Sequence, residues 1–144
     1  MAYKFPETEK ELNEEAQGLK ALISQSAIKG CVACLDGFLL QIKVPAKDKA
    51  GNVKAYFSGQ YQTYRINVQA ACDHKYKFVY AALAAPGGAN YIAAFRKTQF
   101  SKMVENLPLR KFVIGDNAYV CSATLLTPIS GLEKDEPAKD AFNF

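Results

Sequence analysis

The sequence predicts an α/β domain: a mixed sheet of three antiparallel strands, a crossover helix, and a fourth strand returned beside the first. Three observations carry that expectation. Val32–Val44 is an apolar, β-rich run closed by Pro45, and Tyr61–Asp73 sets Tyr64, Ile66, Val68 and Ala70 in alternation with Arg65, Asn67 and Gln69. Lys77–Leu83 comes after only the short Asp73–Tyr76 turn, so the second and third strands form an antiparallel pair. Pro86-Gly87-Gly88 then breaks the chain ahead of a helical stretch, and the apolar Lys111–Gly115 comes after it, the order that a crossover into the same sheet requires.

With 144 residues, 49% of them hydrophobic, the chain can bury one core and is read as a single domain. Residues 1–27 form an N-terminal helical segment in this reading, 28–127 the sheet core and 128–144 a polar tail. Thr8-Glu-Lys-Glu11 is a capping box, with Leu12, Leu19, Leu22 and Ile23 at helical spacing behind it; the helix is expected to run to about Ser24, leaving Glu14 and Glu15 in water. Ala46–Gln60 reads as a long polar loop. Asn90 caps a helix expected to run on to about Glu105, with Ile92, Phe95, Met103 and Val104 on its inner face. Ser122–Leu126 is expected to form a short helical or turn segment.

The net charge of +4 is too small to argue for nucleic acid by itself. Acids cluster in Glu7–Glu15 and Glu133–Asp140, leaving the span between them basic, with solvated surface as the ordinary explanation of such charge. No charged start with an apolar core opens the chain, and no run reaches the length of a membrane span, so an intracellular soluble protein is expected. The four cysteines fit free buried thiols. Cys31 and Cys34 make one C-x-x-C, but strand alternation would point them to opposite faces, which disfavours zinc or redox chemistry. His74, the single histidine, reads as a solvated turn residue.

The candidate site rests on two acids. Asp36 interrupts the apolar run CVACLDGFLLQIKVP, where an unpaired buried carboxylate would cost several kcal/mol unless something compensates it. Asp116 closes the run FVIGDNAY at a glycine turn. The element order is that of the opening of a ribonuclease-H-like fold, in which the fourth strand lies beside the first and brings these two acids face to face. Two carboxylates held close repel unless a cation lies between them, and hard oxygen donors suit magnesium or manganese. A local reading stands beside this one: Asp36 as a turn acid before Gly37, and Asp116 as a cap to the residues after it.

The series CLDGFLLQIKVP, YFSGQYQTYRINVQAACD, APGGANYIAAF, FVIGDNAYVCSATLLTP and KDAFNF resembles the DDE endonuclease domain of Harbinger-type transposases. That resemblance implies a metal-dependent nuclease with Asp36 and Asp116 as its first two acids, Mg2+ or Mn2+ as cofactor, and transposon-end DNA as substrate. It also implies a nuclear location and a Myb-like accessory partner. Tyr91 stands where the family usually has an aspartate, and Arg65 where it usually has a small residue. The family's third acid lies on a helix well beyond the GD-x-x-Y motif, so the resemblance implies a domain shortened at its C-terminus and inactive as it stands. Glu133, Asp135, Glu136 and Asp140 are the late acids. The alternative is a non-catalytic relic that keeps DNA or protein binding.

Overall fold

The computed structural model describes residues 3–22 and 28–129. Helix α1 (Glu9–Leu22) precedes β1 (Cys31–Gln41), α2 (Lys47–Ala50), a 3-10 turn at Val53–Tyr56, β2 (Phe57–Ser58), β3 (Thr63–Cys72) and β4 (Phe78–Pro86). Helices α3 (Tyr91–Arg96) and α4 (Gln99–Glu105) then lead to β5 (Phe112–Ile114) and β6 (Leu125–Leu126). This is a mixed α/β fold built on a six-stranded mixed sheet, consistent with a ribonuclease-H-like arrangement. Strand β3 runs antiparallel to β1 on one edge and to β4 and β2 on the other, while β1, β5 and β6 pair in parallel. Among the described residues no helix is long and apolar enough to cross a membrane.

The capping box forms as expected. The amide of Glu11 donates to Thr8 Oγ1 at 3.2 Å, and the amide of Thr8 donates back to Glu11 Oε2 at 3.1 Å. Behind it Leu12, Ala16 and Leu19 are buried, whereas Leu22 is half exposed and the expected continuation through Ile23 to Ser24 lies outside the described residues. Glu15 and His74 correct the expectation of two solvated side chains. His74 Nδ1 pairs with Glu15 Oε2, and its ring lies so close over Gly18 that a Cβ there would clash with it. The β3–β4 turn is thereby fastened to α1.

Three elements differ from the sequence expectation. The segment at 46–60 is structured rather than a bare loop, holding α2, the 3-10 turn and β2. The single helix from Asn90 to Glu105 is broken in two: Thr98 Oγ1 donates to Phe95 O at 2.7 Å and accepts from the amide of Ser101 at 3.2 Å, starting α4 afresh. On one continuous helix Phe95 and Phe100 would lie about 140° apart. The break turns both inward, and Phe100 becomes the largest fully buried side chain among the described residues, stacked on Tyr80 and edge-on to Phe5 and Phe95. Leu125–Leu126 is a strand rather than a helical turn. Ser122 Oγ accepts from the amide of Leu125, and the amides of Val113 and Gly115 donate to Thr124 and Leu126, drawing the segment onto the sheet.

The cysteines also depart from simple alternation. The β1–β5 register shifts between Cys31 and Ala33, the Cys31 thiol donates to Ala33 O at 3.4 Å, and the nearby Cys34 thiol, with burial, raises the pKa of Cys31. Cys72 lies opposite Cys34 on β3, and all four cysteines are free thiols.

Candidate active site

Strand β1 leaves the core halfway along its length. Residues 31–33 and 35 are buried, but Asp36, Phe38 and Leu40 are exposed along one face. The carboxylate of Asp36 therefore reaches solvent, and the expectation of a buried acid needing compensation is corrected: the strand is apolar here without being covered. The next residue, Gly37, is the tightly enclosed one. It faces Gln69 across the antiparallel pair, and a Cβ at Gly37 would lie 2.4 Å from Tyr91 Cδ1, 2.7 Å from Gln69 Nε2 and 2.7 Å from the Tyr119 hydroxyl oxygen. Only a residue without a side chain lets these three groups close up under the strand.

The parallel pairing of β1 with β5 places Asp116. Its last registered pair is Cys34 with Ile114, where β5 ends, so Asp116 follows two residues past the strand end, as Asp36 follows two residues past Cys34 on β1. Two phenols feel both acids. Burial raises the pKa of Tyr119 above the ordinary tyrosine value, and the charges of Asp116 and Asp36 raise it further. Tyr91 is raised chiefly by burial, then by Tyr61, Asp36 and Asp116, with Arg65 opposing. Both phenols stay protonated at neutral pH, so Tyr91 cannot serve as an anionic ligand beside the two acids.

Each aspartate uses one oxygen locally. Asp36 Oδ1 accepts from the amide of Gly37 at 2.7 Å, and Asp116 Oδ1 accepts from the amide of Ala118 at 3.0 Å. Asp116 thus caps the turn after it as the local reading expects, whereas Asp36 lies within β1 rather than at a turn; each contact engages only half of its carboxylate. Among the described residues Oδ2 of each acid has no hydrogen-bond or ion-pair partner. Two exposed carboxylates, each with an oxygen to spare, fit a hard divalent cation that keeps most of its water. Among the described residues no group of three or more His, Cys, Asp and Glu side chains gathers as a complete ligand set.

Beneath the acids runs a polar chain that alternation alone did not reveal. The Tyr119 hydroxyl donates to Gln69 Oε1 at 2.8 Å, Gln69 Nε2 donates to Asn67 Oδ1 at 2.8 Å, and Asn67 Nδ2 donates to Ala89 O at 3.4 Å. Gln69 and Asn67 are wholly buried and Tyr119 nearly so. The chain ties the Gly115–Tyr119 turn, which carries Asp116, through β3 to the Pro86–Asn90 turn that starts α3. Asn90 caps that helix through the amide of Ala93 at 2.7 Å, as its sequence predicts. The signal for the buried amides was Gly37, a glycine inside a strand, directly across from Gln69.

The domain is a mixed-sheet α/β fold with one aspartate in the middle of β1 and a second just past the end of the parallel strand β5, on a buried polar support. The chain is a member of the DDE superfamily endonuclease family, which it matches over residues 35–143. Endonucleases of this family are typically metal-dependent. Neither a curated protein nor a solved structure shows a significant match to the chain.

Proposed function

We propose that Asp36 and Asp116 are the first two acids of a metal-dependent DNA endonuclease site of the Harbinger-type transposase kind, working with Mg2+ or Mn2+. The observation that supports this reading is the parallel pairing of β1 with β5 up to Cys34 and Ile114, each followed two residues later by an aspartate that keeps one unengaged oxygen. A bound divalent ion would supply Lewis-acid activation of water and stabilisation of the departing 3′ oxygen. The protein's own contribution is orientation. The Gly37 and Ala118 amides hold one oxygen of each carboxylate, and the Tyr119–Gln69–Asn67 chain fixes the turn that carries Asp116. Transposon-end DNA as substrate, a nuclear location and a Myb-like partner go with this reading through the motif series.

The third acid of a DDE set is not assigned, because Glu133, Asp135, Glu136 and Asp140 lie outside the described residues. A second reading, a non-catalytic domain that retains binding, is favoured by Tyr91, a neutral phenol in what the resemblance makes an acid's usual place. Thermal melts with Mn2+ or Ca2+ and nicking of supercoiled DNA separate the possibilities. The paired-acid site predicts that either cation raises the melting temperature of the wild-type chain and not of Asp36→Asn or Asp116→Asn. Nicking lost in Asp36→Asn supports the enzyme; a metal shift without nicking supports the binding domain; neither refutes the site.

A further inference from the structure

Arg65 stands where the family usually has a small residue, and its guanidinium is fixed on three sides. Nε donates to Thr63 Oγ1 at 2.9 Å, Nη1 donates to Leu39 O at 2.9 Å, and Cζ sits 4.0 Å over the centre of the Tyr61 ring. The side chain is half-buried, yet among the described residues no carboxylate lies within ion-pair distance of it, and Nη2 has no hydrogen-bond partner. A partly desolvated cation held rigid and left without a counter-ion is arranged for an anion from outside.

A cavity of about 460 Å³, within the range of small-ligand sites, is walled by residues that contact Arg65 rather than by Arg65 itself. Leu39, Gly87 and Tyr91 are among its walls, and each is tied to Arg65. The Leu39 carbonyl holds the guanidinium, the Gly87 amide donates to Arg65 O at 2.8 Å, and Tyr91 feels the Arg65 charge together with those of Asp36 and Asp116. Ala118, two residues past Asp116, is also among its walls. The segment leading into it carries Lys43, Lys47, Lys49 and Lys54 against the single acid Asp48, all of them exposed.

We propose that this corner is a nucleotide subsite for the DNA strand next to the acids, with Arg65 gripping a phosphate and the cavity beside Tyr91 taking the adjoining sugar and base. The proposal rests on the nuclease reading for its substrate class, but strand binding needs neither metal nor cleavage. The fork geometry of the guanidinium favours a phosphodiester over a simple point-charge attraction, and the phenol wall offers a stacking face that any base can use. The aromatic residue at 91 and the arginine at 65 thus act together, one replacing an acid and the other a small residue.

The test is fluorescence anisotropy with a short labelled single-stranded oligonucleotide of mixed sequence, in EDTA, with salt varied between about 50 and 200 mM. Arg65→Ala is expected to weaken binding about fivefold or more at low salt and to lower the salt slope by about one, the signature of one lost phosphate contact. Arg65→Lys is expected to keep the slope but not the full affinity. Tyr91→Ala should weaken binding about tenfold, the size of one base stack, and Tyr91→Phe should not. Melting curves establish that each variant is folded. Unchanged affinity and slope in Arg65→Ala overturn the proposal, as does an equal loss in Lys75→Ala on the distant β3–β4 turn, or absence of binding by the wild-type chain. Because no metal is present, these results are independent of whether Asp36 and Asp116 hold an ion.

Discussion

Removing one hydroxyl, in Tyr119→Phe, tests whether the buried polar chain sets the stability of the site. The Tyr119 hydroxyl is the donor to Gln69 Oε1 at 2.8 Å, and Gln69 is fully buried, so water cannot replace the lost partner. An orphaned buried acceptor costs about 1–3 kcal/mol, which for a domain of this size lowers the melting temperature by about 3–12 °C. The phenyl ring still fills the space against Phe95, whose ring centre lies 5.6 Å away, so packing loss adds little. Gln69→Leu strands the other ends of the chain, Asn67 Oδ1 and the Tyr119 hydroxyl, and should cost at least as much. Adding Tyr119→Phe to Gln69→Leu should then cost little, a coupling of about 1 kcal/mol or more in a double-mutant cycle. Equilibrium denaturation measures all three. A loss below about 0.5 kcal/mol in Tyr119→Phe, or strictly additive effects, would refute the reasoning.

The remaining predictions address the strand, the helix break and the N-terminal cap. Gly37→Ala drives a methyl group against Tyr91, Gln69 and Tyr119 at 2.4–2.7 Å and should destabilise by about 1–3 kcal/mol or more in a denaturant titration. Thr98→Ala removes the α4 cap and should cost about 1 kcal/mol, while Thr98→Ser keeps most of the stability. The Glu11 carboxyl is held down to about 2 from an ordinary 4.5, first by Lys4 and then by the amides of Thr8 and Glu7. Because the folded value lies below the unfolded one, its contribution is complete above pH 4.5 and fades as the pH falls towards 2. Melting temperatures of the wild-type chain and Glu11→Gln should therefore differ near neutrality and converge on acidification.

Much of the sheet was legible because its signals are local. A period of two, a four-residue turn and a glycine break are set by backbone geometry within a few residues, and they point to the three antiparallel strands and the crossover that returns β5 beside β1. The helix break was less visible, because Thr98 is compatible with a helix interior and becomes a cap only when burial of Phe100 favours a second axis. The burial of β3's polar row was not legible for a related reason. Asn67 and Gln69 look like an outward face, but they satisfy one another and Tyr119, so they can be buried without an open hydrogen bond. Asp36 misled in the opposite sense: apolar neighbours suggested burial, although Phe38 and Leu40 beside it are themselves exposed.

These misreadings share a physical cause, and it bears on how the site is built. Alternation assigns a face from each residue alone, whereas burial of an amide or exposure of a leucine depends on what the other elements bring to that face. Here α3 and the Gly115–Tyr119 turn bring phenols to one side of β1 and β3, which accepts glycine and amides there. The other side, beyond residue 35, meets no comparable cover among the described residues and leaves Asp36 in solvent. An acid that must exchange water for a cation has to be accessible, and one that must keep its geometry needs a stiff base. The arrangement meets both requirements by dividing them between the two sides of a single strand, so rigidity at Gly37 and access at Asp36 do not compete.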